Sequence, residues 1–503
     1  MHNRIKSYMG GLLVDTLGIP ITMVLGILVT PLFFRYINMD EYGYWTTVLD
    51  FMNFLNILNA GIGIYVVQTI AKEKTGGVGN AKNALGSVII VQMIIICMML
   101  LACLVAYGML PSFQDPSGKF PDSRRIYFMM TGNLLVNTFW VFLINILYGQ
   151  NRVSLSNGIA LGQKTLTQLL PLLLLFGGFG LIAFPISYIS VSILLIIITV
   201  PLTFRYLGSR CSPKRVKSKD IQEISLFSFR YLLGNTSYYV LHFTDTLVIA
   251  NFLSTSHVTI YALTMKLASV AKFFPGKIIS LAFPSIAQLI QEKSYDRLHE
   301  VAIKLFRVGL RIGLFSGGVI VCLNQIFVPQ WVGADKFGGN ILSFLSAVLC
   351  LREAMMPVFI NIIFSTKDIK TINYILFLEA LANIIFSIIF LKFWGINGVA
   401  LASVISSSFL SVGYSWYKAS HIIHISVLSF VPSLLITVAK FIPTYFILWV
   451  GLMLLEAEFS WLLFLAVIIV AGVTNSICFE GRTILKYRKL PVKDIFYKVI
   501  NEA

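Results

Sequence analysis

Fourteen charged side chains sit inside or at the ends of long apolar stretches of this sequence. The basic ones are Lys164, Arg230, Lys266, Lys272, Lys277, Arg307, Arg311, Arg352 and Lys440, and the acids are Asp15, Asp50, Asp245, Glu353 and Glu379. A single charge at mid-bilayer costs roughly 2.5–3.5 kcal/mol on insertion scales, so this set facing hydrocarbon would cost on the order of tens of kcal/mol. Most of them must line a wet cavity or pair with one another. The chemistry this offers is electrostatic rather than covalent, and the surplus of cations suits an anionic ligand such as a pyrophosphate or an acidic sugar.

The elements that must carry these charges follow from composition. The chain has 503 residues, 57% hydrophobic and 12% charged, with a mean hydropathy of +0.83, whereas a soluble domain carries roughly a quarter charged residues. Apolar stretches long enough to cross a bilayer, about 20 residues each, recur at 11–34, 43–70, 84–108, 127–149, 155–178, 180–204, 226–253, 259–285, 305–328, 338–364, 371–393, 395–417, 427–454 and 459–479. This predicts an all-α polytopic membrane protein of about fourteen helices, because backbone in lipid must satisfy its own hydrogen bonds.

Lys and Arg in the connecting segments set the orientation. With the N-terminus inside, 24 basic residues fall on the cytoplasmic side and 6 outside, so both termini are expected in the cytoplasm, with the first span retained as an anchor. This bias also accounts for the net charge of +17 as topology and attraction to anionic headgroups rather than nucleic-acid binding. The six cysteines form no CxxC or zinc spacing and read as small apolar fillers. There is no GxxxxGK[ST] phosphate loop, GQKT at 162–165 being a near miss inside an apolar helix, and no HExxH or GxSxG. No catalytic residue, metal-ligand set or cofactor motif emerges. The chain reads as a transporter rather than an enzyme, with an ion gradient as its drive.

The sequence is largely one unit written twice. RYINMDEYGYW at 35–45 lies over NFLSTSHVTIY at 251–261, an offset of 216, and GLIAFPISYIS at 180–190 lies over GINGVALASVI at 395–405, an offset of 215. Six spans per copy return the chain to its starting side, so the copies share one orientation, related by an axis along the membrane normal. The expected division is 1–204 as an N-terminal six-helix lobe, 205–224 as a basic cytoplasmic linker, 225–417 as a C-terminal six-helix lobe, 418–480 as two extra helices and 481–503 as a basic cytoplasmic tail.

PLFFRYINMDEYGYWTTVLDFMNFLNILNAGIGIYVVQTIAKEKT at 31–75 resembles the first two spans of the polysaccharide transporter family, the Wzx-type O-antigen and capsule flippases. FTDTLVIANFLSTSHVTIYALTMKLASVAKF at 243–273 and GINGVALASVIS at 395–406 resemble that family's seventh-to-eighth and twelfth spans. The resemblance places the chain in the superfamily shared with multidrug/toxin extruders and lipid II flippases. It implies moving an undecaprenyl-pyrophosphate-linked oligosaccharide, a repeat unit of O-antigen, capsule or exopolysaccharide, from the cytoplasmic to the periplasmic leaflet of the bacterial inner membrane. It also implies an H+ or Na+ gradient, membrane lipids and a glycan polymerase and chain-length regulator as partners. A cation-coupled multidrug or small-molecule antiporter is the alternative; it would prefer acids in its cleft. A major-facilitator transporter and a membrane glycosyltransferase fit less well, the first for want of its loop signature and the second for its short outer loops.

Under this reading Asp50, Asn53, Asn56, Asn137, Lys164, Lys266, Lys272, Arg352, Glu353 and Glu379 are expected to line a translocation cavity. Asp50, Asn53 and Asn56 recur every third residue on one helix face, which also fits interhelical hydrogen bonding. At the repeat offset Lys164 corresponds to Glu379, Asp50 to Lys266, Asp15 to Arg230, Asn56 to Lys272 and Asn137 to Arg352. The pairs Asp15–Arg230 and Asp50–Lys266 are candidate inner and outer gates, the competing reading being that each charge is satisfied within its own lobe. Arg307 and Arg311, four residues apart, could receive a pyrophosphate or serve as plain positive anchors. Lys277 and Lys440 read as snorkelling side chains, and Asp245 is the candidate for ion coupling. Pro275-Gly276 is the best hinge candidate.

Overall fold

The computed structural model describes residues 2–74, 81–115, 118–120, 122–208, 218–280, 282–366, 369–454, 460 and 462–474. Residues 209–217 of the basic linker and the whole 481–503 tail lie outside these residues, as does the side chain of Lys277. Among the described residues there are helices and no strand, the outcome that lipid imposes on a chain this apolar. The first half runs α1 (His2–Phe33), α2 (Met39–Leu55), a 3-10 turn (Asn56–Asn59), α3 (Ala60–Lys74), α4 (Ala81–Met109), the short α5 (Pro111–Gln114), α6 (Ser123–Gly149), α7 (Val153–Phe176), α8 (Ala183–Gly208) and α9 (Ser218–Phe252). The second runs α10 (Thr255–Thr264), α11 (Lys266–Ala271), α12 (Phe273–Ser280), α13 (Phe283–Gln291), α14 (Tyr295–Val332), α15 (Gly339–Ser365), α16 (Ile369–Ser406), a π-helical segment (Ser407–Gly413), α17 (Tyr414–Ile422) and α18 (Val431–Leu454). A last apolar helix, α19, covers Leu462–Thr474.

Nine helices among the described residues are long and apolar enough to cross a membrane, ten when the pair bent by 41° at the 3-10 turn is taken as one span. One of them, Thr371–Ile422, is 52 residues long and is two passes folded back at Gly395, whose φ of 57° and ψ of −138° leave the helical region. Gly180, its counterpart at an offset of 215, opens the equivalent hairpin before α8 with φ 55°. The duplication has thus kept a left-handed turn that a Cβ disfavours. Gly395→Ala is therefore expected to lower stability by roughly 1–2 kcal/mol although no atom lies within 4 Å of the added carbon; a thermal melt in detergent checks it.

Two expected spans depart from the pattern. The stretch 226–253 becomes α9, whose Ser, Thr, Asn, His, Arg and Asp residues keep it out of the apolar set. The stretch 259–285 is broken into α10 to α13, with junctions at Met265 and Lys272. Pro275 and Pro284 fall in the first turns of α12 and α13, where proline's missing N–H has no carbonyl to reach. They restart helices instead of kinking one. The corresponding stretch of the first half, α2 to α3, is broken too, at Asn56–Asn59.

By packing, the chain forms two units, Met1–Thr259 and Ile260–Ala503. In the first, α1 lies along α7, α6 along α8, and α9 along α2, α3 and α4. Its aromatic core includes Trp45 stacked on Phe184 at 4.7 Å and the buried Tyr44, whose hydroxyl donates to the Ser123 carbonyl at 2.9 Å. Asn38 and Glu41 form a capping box that fixes the start of α2. In the second unit, α14 lies along α15. Gly309, Gly313 and Gly317, one per turn, let the backbones meet, and a Cβ at Gly313 would stand 2.9 Å from that of Ala354. Phe306, Phe359, Trp416 and Phe430 close the aromatic end of this unit.

Candidate functional site

The polar side chains of the first unit gather where its broken span meets its neighbours. Asn56 donates to the Met52 carbonyl at 3.2 Å, and three residues on Asn59 closes the 3-10 turn. The Asn59 amide donates to Thr138 Oγ1 of α6 at 2.8 Å and its oxygen accepts from Gln92 Nε2 of α4 at 2.9 Å. All three residues are buried. This knot holds the break in place, yet neither Asn59, Gln92 nor Thr138 was singled out by the sequence. Gln92 was the available signal, a lone amide within SVIIVQMIII.

Asp50, on α2, accepts a hydrogen bond from Thr246 Oγ1 of α9 at 2.9 Å, and Asn53 lies half-buried beside it. Asp245 precedes that threonine and is buried. Asn137 of α6 accepts from Gln163 Nε2 of α7 at 2.8 Å, while the adjacent Lys164 is exposed. Arg230 is exposed on α9 and Asp15 half-buried on α1. Ser192 of α8 donates to Asn133 at 2.8 Å.

In the second unit Lys266 opens α11 and Lys272 stands at the junction of α11 and α12, both half-buried. Arg307 is exposed and its Nε donates to Ser433 Oγ of α18 at 3.1 Å; Arg311 lies one turn further on, half-buried. Lys440 is exposed on α18.

The fold brings three of the named residues into contact. Arg352 Nη1 of α15 pairs with Glu353, and Nη2 pairs with Glu379 Oε1 of α16 at 3.1 Å. Nη2 also donates to Ser411 Oγ at 3.3 Å, and that hydroxyl donates to Glu379 at 2.9 Å. Ser411 belongs to the π-helical segment, a geometry that recurs at functional positions. The cluster ends a longer polar seam. Glu379, Asn383 and Ser387, four residues apart, and Ser403, Ser407, Ser411 and Ser415, also four apart, are all buried, with Asn383 donating to Ser403 at 2.9 Å. The sequence showed this seam only as a four-residue serine rhythm in SVISSSFLSVGYSWYKAS.

Such a seam of carboxylate, guanidinium and hydroxyls in a lipid-spanning unit can hold or pass charge, and the interrupted spans give each unit a place to bend. Residues 9–290 match the family described as polysaccharide biosynthesis protein, more than half of the chain. The chain belongs to the polysaccharide biosynthesis protein family. A relative within reach is the probable flippase AglR of Haloferax volcanii, 26% identical over 304 residues; the match covers 56% of this family member and 59% of AglR. The chain therefore spans less than two thirds of that relative. Among solved structures, the lipid II flippase MurJ in its inward closed conformation is similar with a TM-score of 0.69 at 15% identity, covering 95% of this chain and 99% of MurJ. An inward-facing multidrug resistance MATE transporter of the MOP superfamily is similar at 0.60 and 15% identity, covering 80% of this chain and 95% of that one. At such identities the likeness shows the fold. This member of the family therefore has the all-helical, many-span fold expected from its sequence.

Proposed function

We propose that this protein is a flippase for a lipid-linked oligosaccharide, carrying an undecaprenyl-pyrophosphate-linked repeat unit from the cytoplasmic to the periplasmic leaflet. The observation that carries the reading is the pair of interrupted spans at corresponding places in the repeat: one breaks at Asn56–Asn59, the other at Lys272, and Asn56 and Lys272 are equivalent at an offset of 216. In transporters built from repeats, interrupted helices with polar residues at the break mark where cargo and coupling ions bind. The excess of intramembrane cations supports an anionic cargo, and the family match supports a glycan one. An H+ or Na+ gradient drives the cycle in this reading, in the bacterial inner membrane with both termini cytoplasmic, and a glycan polymerase and chain-length regulator take up the product.

Deleting the gene is expected to leave lipid-linked glycan on the cytoplasmic leaflet, protected from a periplasmic glycan-modifying enzyme. Purified protein in proteoliposomes is expected to restore translocation only under an imposed proton or sodium gradient. Translocation of a small organic cation with no effect on the lipid-linked glycan would replace this reading with the antiporter one.

A further inference from the structure

Corresponding helices of the two repeats are joined by polar contacts of different chemistry, one residue apart in register on the second helix of each pair. In the first unit Gln163 of α7 meets Asn137 of α6 at 2.8 Å. At an offset of 215 Asn137 becomes Arg352, and Lys164, beside Gln163, becomes Glu379, which meets Arg352 at 3.1 Å. A neutral pair is enough to join these helices in this architecture. Placing charge there adds a desolvation penalty of several kcal/mol per ion that packing does not call for.

The guanidinium is held as an anion receptor is held. Behind it stands Glu379, 0% exposed and fixed further by Ser411; in front stands Glu353, 26% exposed. Arg352 Nη1 serves Glu353, Nη2 serves Glu379 and Ser411, and the buried Nε has no hydrogen-bond partner. Arginine's planar fork of five N–H donors matches phosphate bidentately, so this fork has unused capacity beside its more accessible carboxylate.

We propose that Arg352 binds a phosphate group of the cargo, with Glu353 as the carboxylate that occupies the fork between passages and gives way to it. Glu379 and Ser411 are positioning residues that fix the guanidinium from behind. The site rests on the reading that the cargo carries phosphate. It is tested by titrating the full-length protein in nanodiscs with undecaprenyl pyrophosphate, with undecaprenol and inorganic pyrophosphate as separate arms. Arg352→Asn with Glu379→Gln puts a neutral amide pair in place of the ion pair, and is expected to weaken undecaprenyl pyrophosphate binding roughly 10- to 100-fold through loss of charge-assisted hydrogen bonds. Glu353→Gln is expected to tighten it several-fold, a gain that a purely structural arginine does not give, and that arm decides the matter if the double variant fails to fold. Inorganic pyrophosphate competing with the lipid supports recognition of the phosphate itself. An unchanged Kd in the double variant, or weaker binding in Glu353→Gln, overturns the site; if the wild type still flips lipid-linked glycan, the transport reading stands without it. Equal binding of undecaprenol and undecaprenyl pyrophosphate by the wild type overturns both.

Discussion

Arg352→Ala is expected to destabilise the second unit by roughly 3–5 kcal/mol, the range for removing one partner of a buried ion pair. The size comes from what stays behind. Glu379 has no exposed surface, and Glu353 faces the same guanidinium, so the deletion leaves two carboxylates beside the space where their shared cation stood. At about 2–4 °C per kcal/mol for a unit of this size, the loss reads as a fall in Tm of roughly 6–20 °C. Exchanging both partners for neutral ones is expected to recover most of it, since replacing a buried pair as a whole is often neutral. Arg352→Lys should fall between, because an ammonium is a point charge without the planar fork that reaches Glu353, Glu379 and Ser411 together. Differential scanning fluorimetry on the four proteins orders them, and an Arg352→Ala protein as stable as wild type would contradict the account.

Asn59→Leu carries the second large effect. The substitution removes the acceptor of Gln92 and the donor to Thr138 at once, and both partners are buried with apolar surroundings. Each orphaned group costs about 1–3 kcal/mol, so the first unit should lose roughly 2–6 kcal/mol. The variant tests more than stability. Asn59 ends the 3-10 turn that interrupts α2 and α3, so faster amide exchange is expected at residues 53–62 before the rest of the unit opens. Exchange that rises evenly over the unit would mean the knot is only one contact among many.

What the sequence made legible divides along physical lines. Span positions were readable because lipid tolerates helices and little else, and a window of apolar residues reports that directly. The hairpin at Gly395 was readable through its match with Gly180, since a left-handed turn has few acceptable residues. Arg352, Glu353 and Glu379 were readable as charges that hydrocarbon rejects. Their union was not, because Arg352 and Glu379 are 27 residues apart on different helices and nothing in periodicity names a partner. The Asn59–Gln92–Thr138 knot was missed for the same reason, with separations of 33 and 79 residues, and because amides bring no charge to draw notice. The segmentation of 259–285 escaped because hydropathy measures tolerance of lipid, and four short apolar helices score as one long one. For α9 the repeat suggested the second half, yet its packing is with α2, α3 and α4, since neighbours are chosen by shape and hydrogen bonds.

That last arrangement bears on how the protein is made. Synthesis is vectorial, and α2, α3 and α4 leave the ribosome long before α9 does. Between Gly208, where α8 ends, and Phe252, where α9 ends, elongation at about 5–20 residues per second takes roughly 2–9 s. For that interval Asp50 waits for Thr246, and the nascent N-terminal bundle must shelter an unfinished flank inside the insertion machinery or among lipids.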